Sequence, residues 1–173
     1  MQLSKIYEPI QEDLAKVEDR LKTVSRVDFP WLSELLEYSL KSGGKRLRSA
    51  LVLLAGKFYD YNLDYLLPMA SAIEIIHTAT LVHDDAIDNS SIRRGRPTIN
   101  KVWGKDKAVL LGDYLFAKGG ELVSTTRNLQ VVKLAAQTVM TISSGELSQT
   151  LNAFNLEHSV IGNQVARLPN CDW

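Results

Sequence analysis

The chain has 173 residues, 45% hydrophobic and 23% charged, with twenty basic residues balancing twenty acidic ones for a formal net charge of zero. This is ordinary composition for a single globular core, and it excludes a global electrostatic pull toward nucleic acid or a membrane surface. Any anion binding must therefore come from local clusters. Ile6, Ile10, Leu14, Val17, Leu21 and Val24 recur at spacings of four and three with charged residues between them, which predicts a strongly amphipathic helix. Asp28-Phe29-Pro30-Trp31 reads as a break and a new helix start, because proline is tolerated in a first turn. That short helix runs through Tyr38 and Leu40 to a loop at Ser42-Gly43-Gly44.

Leu47 to Phe58 is apolar and alanine-rich, the pattern of a buried helix. A further helix is expected from about Leu66 to Asp85, apolar nearly all round through Met69, Ile73, Ile75, Ile76 and Ala79, as suits a central element. Arg93 to Pro97 is a basic loop broken by Gly95 and Pro97. Helices over residues 108–123 and 129–154 follow, and no segment shows convincing strand alternation. The expected class is all-α. The pattern fades beyond Asn155, so residues 1–155 form the expected domain and 156–173 an atypical tail.

Cys171 is the single cysteine, so no disulfide framework forms within the chain. The first residues, MQLSKIYEPIQEDLAK, lack the apolar core of a signal peptide, and no stretch reaches the roughly 20 apolar residues of a membrane span. A soluble cytoplasmic protein is the expectation.

Three clusters bear on chemistry. Asp84 and Asp88 lie four residues apart and so project from one helix face, with Asp85 beside them. Like charges at that spacing repel, and a helix C-terminus disfavours anions, so a compensating hard divalent cation such as Mg²⁺ is one reading. A solvated acidic helix end is the other. Lys45, Arg46 and Arg48 follow Gly43-Gly44 at a helix N-terminus, where backbone amides and guanidinium forks match phosphate oxygens. The alternative is a solubilising surface cluster. Arg93, Arg94 and Arg96 follow Asp88 closely and would either contact a metal-bound diphosphate or form salt bridges to Asp84, Asp85 and Asp88. His77 lies two turns before Asp84 on roughly the same face and could donate to a phosphate oxygen.

The segments Gly43 to Arg48, His77 through Asp88, Arg93 to Thr98, Leu111-Gly112-Asp113-Tyr114-Leu115 and Ser144 to Gln149 together resemble the polyprenyl synthetase family of trans-isoprenyl diphosphate synthases, in its N-terminal half. That resemblance implies a helical bundle around a deep cavity and head-to-tail prenyl transfer. An allylic diphosphate would bind through Mg²⁺ to Asp84 and Asp88, with Asp85 supporting and Arg93 touching the diphosphate. Lys45, Arg48, His77 and Arg94 would hold isopentenyl diphosphate. Small residues at Ala79 and Thr80 imply an open tunnel and a medium- or long-chain product, with Met140 among residues that could set its floor. The family's second Asp-rich motif and the lysine before it are absent, which implies a fragment with half a metal cage and exposed apolar faces that favour a homo-oligomer. A non-catalytic diphosphate-binding remnant or partner subunit is the alternative, and a terpene cyclase a third.

Overall fold

The computed structural model describes residues 3–41 and 44–152. The Ser42-Gly43 loop and the tail from residue 156 lie outside the described residues, as does Cys171. By contacts the chain divides into two compact units between Asn128 and Leu129.

The first unit is helical, as the patterning requires. The amphipathic N-terminal segment is interrupted: α1 (Leu3–Tyr7) passes through a 3-10 turn at Glu8–Ile10 into α2 (Gln11–Val24). Pro9 explains the interruption, because it has no N–H to give an i−4 carbonyl. Ile10, Val17, Leu21 and Val24 are buried and Leu14 half-buried, so the apolar stripe holds along α2, whereas Ile6, before the interruption, is exposed. Helix α3 (Pro30–Leu40) starts on proline at its first position. Helix α4 (Leu47–Gly56) buries Ser49, Ala50 and Leu53 but leaves Leu47 and Leu51 exposed. It is thus half-buried rather than fully buried, since only one stripe meets a neighbour.

Helix α5 (Leu63–Ile87) is the central element. It starts earlier than its apolar residues imply because the Asn62 side chain accepts a hydrogen bond from the Asp64 N–H at 2.9 Å. Among the described residues α5 is long and apolar enough to cross a membrane by length and composition, contrary to the run-length expectation. Its sides are instead taken by α2, α3, α4 and the later helices of the unit, so its hydrophobicity is that of a core helix.

The basic loop is a small antiparallel hairpin, β1 (Ile92–Arg93) and β2 (Arg96–Pro97). Arg94 and Gly95 between the strands both have positive φ, 49° and 77°, the two-residue turn whose twist matches paired strands. Two-residue strands are too short to show alternation, which is why the sequence reads only as a loop. Helix α6 (Ile99–Trp103) leads into α7 (Lys105–Ser124). Helices α5 and α7 approach closely because Gly112 and Gly119, two turns apart, leave room for the His83 ring and the Ile76 side chain.

The second unit contains α8 (Leu129–Asn152), which holds Met140 and the Ser144–Gln149 segment on one continuous helix.

Candidate functional site

The acidic cluster occupies the last turn of α5. Asp88 caps it, its N–H donating to the Asp84 carbonyl at 2.8 Å. Asn89 then takes φ 49°, a left-handed exit that asparagine tolerates. Asp84 is half-buried and Asp88 exposed, whereas Asp85 is only 6% exposed. The Arg93 Nε–H donates to both oxygens of Asp85 at 2.9 Å. That bond is the main reason the Arg93 guanidinium is held protonated more firmly than usual, with Asp84 and Asp88 adding to it. Of the two readings of the arginine loop, the salt bridge therefore applies to Arg93 and Asp85. The Arg93 side chain remains 37% exposed, so it keeps a face for a further anion.

The hairpin is anchored on both flanks. Thr98 Oγ1 donates to the Ser90 carbonyl at 2.6 Å, and the Asn100 side-chain amide donates to the same oxygen at 3.0 Å. On the other flank the Tyr38 hydroxyl donates to the Pro97 carbonyl at 2.8 Å. This leaves Arg94 at the tip, where its Nη1 lies 3.7 Å from the position a Cβ would take on Gly44. The two basic segments, fifty residues apart in sequence, thus meet.

Lys45, Arg46 and Arg48 do not act alike. Arg46, in left-handed conformation at φ 45°, turns inward. It forms a two-pronged pair with Glu18, donates to the Leu40 carbonyl at 3.3 Å and lies 3.9 Å from Glu74. Buried Glu74 in turn accepts the Ser49 N–H at 3.2 Å. One amide expected to be free for an anion at the α4 N-terminus is therefore satisfied by the protein's own carboxylate. Neither Glu18 nor Glu74 is close to Arg46 in sequence, so local pattern could not reveal this. Lys45 and Arg48 are exposed, and neither has a carboxylate partner among the described residues. The Lys45 carbonyl accepts from the Tyr7 hydroxyl at 2.8 Å, fixing its backbone.

His77 lies on α5, within electrostatic reach of Arg48, Arg94 and Arg93. Its Nε2 is buried and has no hydrogen-bond partner. Burial is the largest cause that lowers its pKa; Arg48, Arg94 and Arg93 lower it further, and Glu74 opposes them. A neutral imidazole with an unsatisfied buried nitrogen, within electrostatic reach of Arg48 and Arg94, is a polar group awaiting a partner, and an anion accepting from an Nε2–H would supply one. Thr80, one turn on, shares this face and is half-buried, while Ala79 is fully buried within the unit.

The carboxylates suit a hard cation. Among the described residues no three His, Cys, Asp or Glu side chains converge on a metal position, and Asp85 is committed to Arg93. Asp84 and Asp88, one turn apart at the end of α5, present two carboxylates on one face. One or two carboxylates completed by phosphate oxygens and water is a shell that Mg²⁺ accepts.

A sequence-family model described as polyprenyl synthetase matches residues 29–165. Component 2 of heptaprenyl diphosphate synthase from Geobacillus stearothermophilus is 38% identical over 157 residues, 91% of this chain and 49% of that protein. Octaprenyl diphosphate synthase of Escherichia coli is 34% identical over 88% of this chain and 47% of its own length. Among solved structures, a decaprenyl diphosphate synthase from Rhodobacter capsulatus superposes with a TM-score of 0.84 at 36% identity, covering 90% of this chain and 48% of that one. A polyprenyl synthase from Caulobacter crescentus, complexed with calcium and isoprenyl diphosphate, gives a TM-score of 0.86 at 31% identity, covering 93% and 49%. The chain spans about half the length of the curated relatives it matches.

Proposed function

The chain belongs to the polyprenyl synthetase family, and from that premise we propose that it supplies the diphosphate-binding walls of a trans-prenyltransferase. The reaction condenses isopentenyl diphosphate with an allylic diphosphate to give a medium- or long-chain polyprenyl diphosphate. The observation that supports this most is the partnerless His77 Nε2, set among Arg48, Arg93 and Arg94 on the α5 face that ends in Asp84 and Asp88.

In this reading Lys45, Arg48, His77 and Arg94 hold the isopentenyl diphosphate, whose charge the arginine forks neutralise. Arg93, oriented by Asp85, contacts the allylic diphosphate. Asp84 and Asp88 are the metal ligands, and Mg²⁺ is the ion that two carboxylates and diphosphate oxygens fit best. When bound, it neutralises the diphosphate so that it can leave the allylic carbon. The apolar helix faces around Thr80 keep water from the cation-like centre. The half-buried threonine at that turn leaves space for a growing chain, and the names of the hepta-, octa- and decaprenyl relatives agree with long products. We place the protein in the cytoplasm and assign it a homodimeric assembly as parts of the same proposal.

The test is to incubate the chain with labelled isopentenyl diphosphate, farnesyl diphosphate and Mg²⁺ and to extract elongated prenyl products. A second reading, a non-catalytic diphosphate-binding subunit, draws support from the two-component naming of the heptaprenyl relatives. It predicts Mg²⁺-dependent binding of farnesyl diphosphate, lost in Asp84→Asn/Asp88→Asn, with no elongated product. Absence of both binding and product sinks both readings.

A further inference from the structure

Tyr38 bears no charge for an anion, yet it makes two contacts with the hairpin that presents the two arginines and a third with α6, which follows it. Its hydroxyl donates to the Pro97 carbonyl at 2.8 Å. The Arg96 guanidinium stacks over its ring, 4.4 Å from the centroid. The Trp103 ring meets it edge-on with centroids 4.9 Å apart. Pro97 and Arg96 are the β2 partners of Ile92 and Arg93 on β1, so a tether on β2 is a tether on Arg93. Tyr38 also shares the wall of a cavity of about 90 Å³ with Asp85, Arg93, Arg94 and Thr98. It sits on the last turns of α3, just before the chain enters the segment holding Lys45 and Arg48.

A two-stranded ribbon is marginally stable by itself, and this one has strands of only two residues. Its flank toward Ser90 is held by Thr98 and Asn100. Its flank toward α3 is held by Tyr38. We propose that Tyr38 is a positioning residue for the prenyl diphosphate site: it clamps the hairpin against α3 and so fixes Arg93 on Asp85 and Arg94 beside Gly44. The inference rests on the functional reading above for what the arginines bind, but the clamp itself is a statement about the hairpin.

The cation–π and edge contacts come from the ring, and only one hydrogen bond comes from the hydroxyl. Tyr38→Phe therefore keeps two of the three contacts, and Tyr38→Ala keeps none. Two quantities are measured on the full chain: the affinity for isopentenyl diphosphate by calorimetry, and the solvent exchange of the Arg93 Nε–H by NMR. Tyr38→Ala is expected to weaken affinity about tenfold or more, since small displacements of binding groups carry penalties of that order. It should also expose the Arg93 Nε–H to exchange. Tyr38→Phe should fall between wild type and alanine on both readouts, with its melting temperature close to wild type. A side chain that only supports the fold would change the melting temperature while leaving Arg93 protected in the folded protein. Wild-type protection of Arg93 in Tyr38→Ala, or in Tyr38→Phe if the alanine variant does not fold, overturns the proposal. Failure of the wild type to bind isopentenyl diphosphate would instead count against the functional reading, and Arg93 exchange still decides the clamp.

Discussion

Gly112→Ala tests whether α5 is seated on α7 through His83. A Cβ at Gly112 would lie 2.1 Å from His83 Nε2 and 2.2 Å from its Cδ2, distances no side chain accommodates without moving the ring. The same Nε2 is 3.0 Å from the Val109 carbonyl and 3.4 Å from Asp113 Oδ1. A carbonyl can only accept, so this nitrogen bears the proton, and displacing the ring breaks the bond. Overpacking costs about 1–3 kcal/mol and the lost hydrogen bond about 0.5–1.5 kcal/mol, offset by about 1 kcal/mol of helix propensity gained over glycine. The expected loss is about 2 kcal/mol, or roughly 5 °C in melting temperature. Gly120→Ala is the control, because a Cβ there meets nothing within 4 Å and propensity alone should stabilise it by up to about 1 kcal/mol. Urea unfolding of the three proteins gives the comparison. If Gly112→Ala is as stable as Gly120→Ala, the close seating of α5 on α7 is wrong.

Arg46→Ala and Arg48→Ala should separate cleanly despite adjoining positions. Removing Arg46 deprives buried Glu74 and Glu18 of their cation and should destabilise by about 2–4 kcal/mol, below the full buried-pair penalty because Glu18 is partly exposed. Removing exposed Arg48 should change unfolding by under about 0.5 kcal/mol yet weaken diphosphate binding about tenfold or more. His77 should titrate below its ordinary value of 6.5 in the free protein. Because its folded pKa is depressed, its contribution to stability is complete above 6.5 and is lost as pH falls from there toward the folded value. Bound diphosphate supplies the missing anion, so imidazole NMR should show the His77 pKa rising on its addition; an unchanged titration would remove His77 from the site.

The helices were legible because a buried stripe at helical spacing leaves a local record: Val17, Leu21 and Val24 face the core as their periodicity implies. The 3-10 turn at Pro9 is hidden by that same periodicity, which continues across the proline. The acidic and basic segments could be recognised as motifs, but the division of labour within them could not. Whether Arg46 binds a ligand or a carboxylate depends on Glu18, on a helix far away in the chain, and on Glu74 beneath it. Asp85 differs from Asp84 and Asp88 in being buried and in the Arg93 that the hairpin returns to it. Tyr38 gave no signal at all, since its role depends on a turn formed by Arg94 and Gly95 nearly sixty residues later.

If Lys45, Arg48, His77 and Arg94 form one anion site, calorimetric titration with isopentenyl diphosphate reads its occupancy. The wild-type chain should give saturable binding, and a folded Arg48→Ala/Arg94→Ala variant should give none over the same range. Equal binding by the two proteins, or none by the wild type, would contradict it.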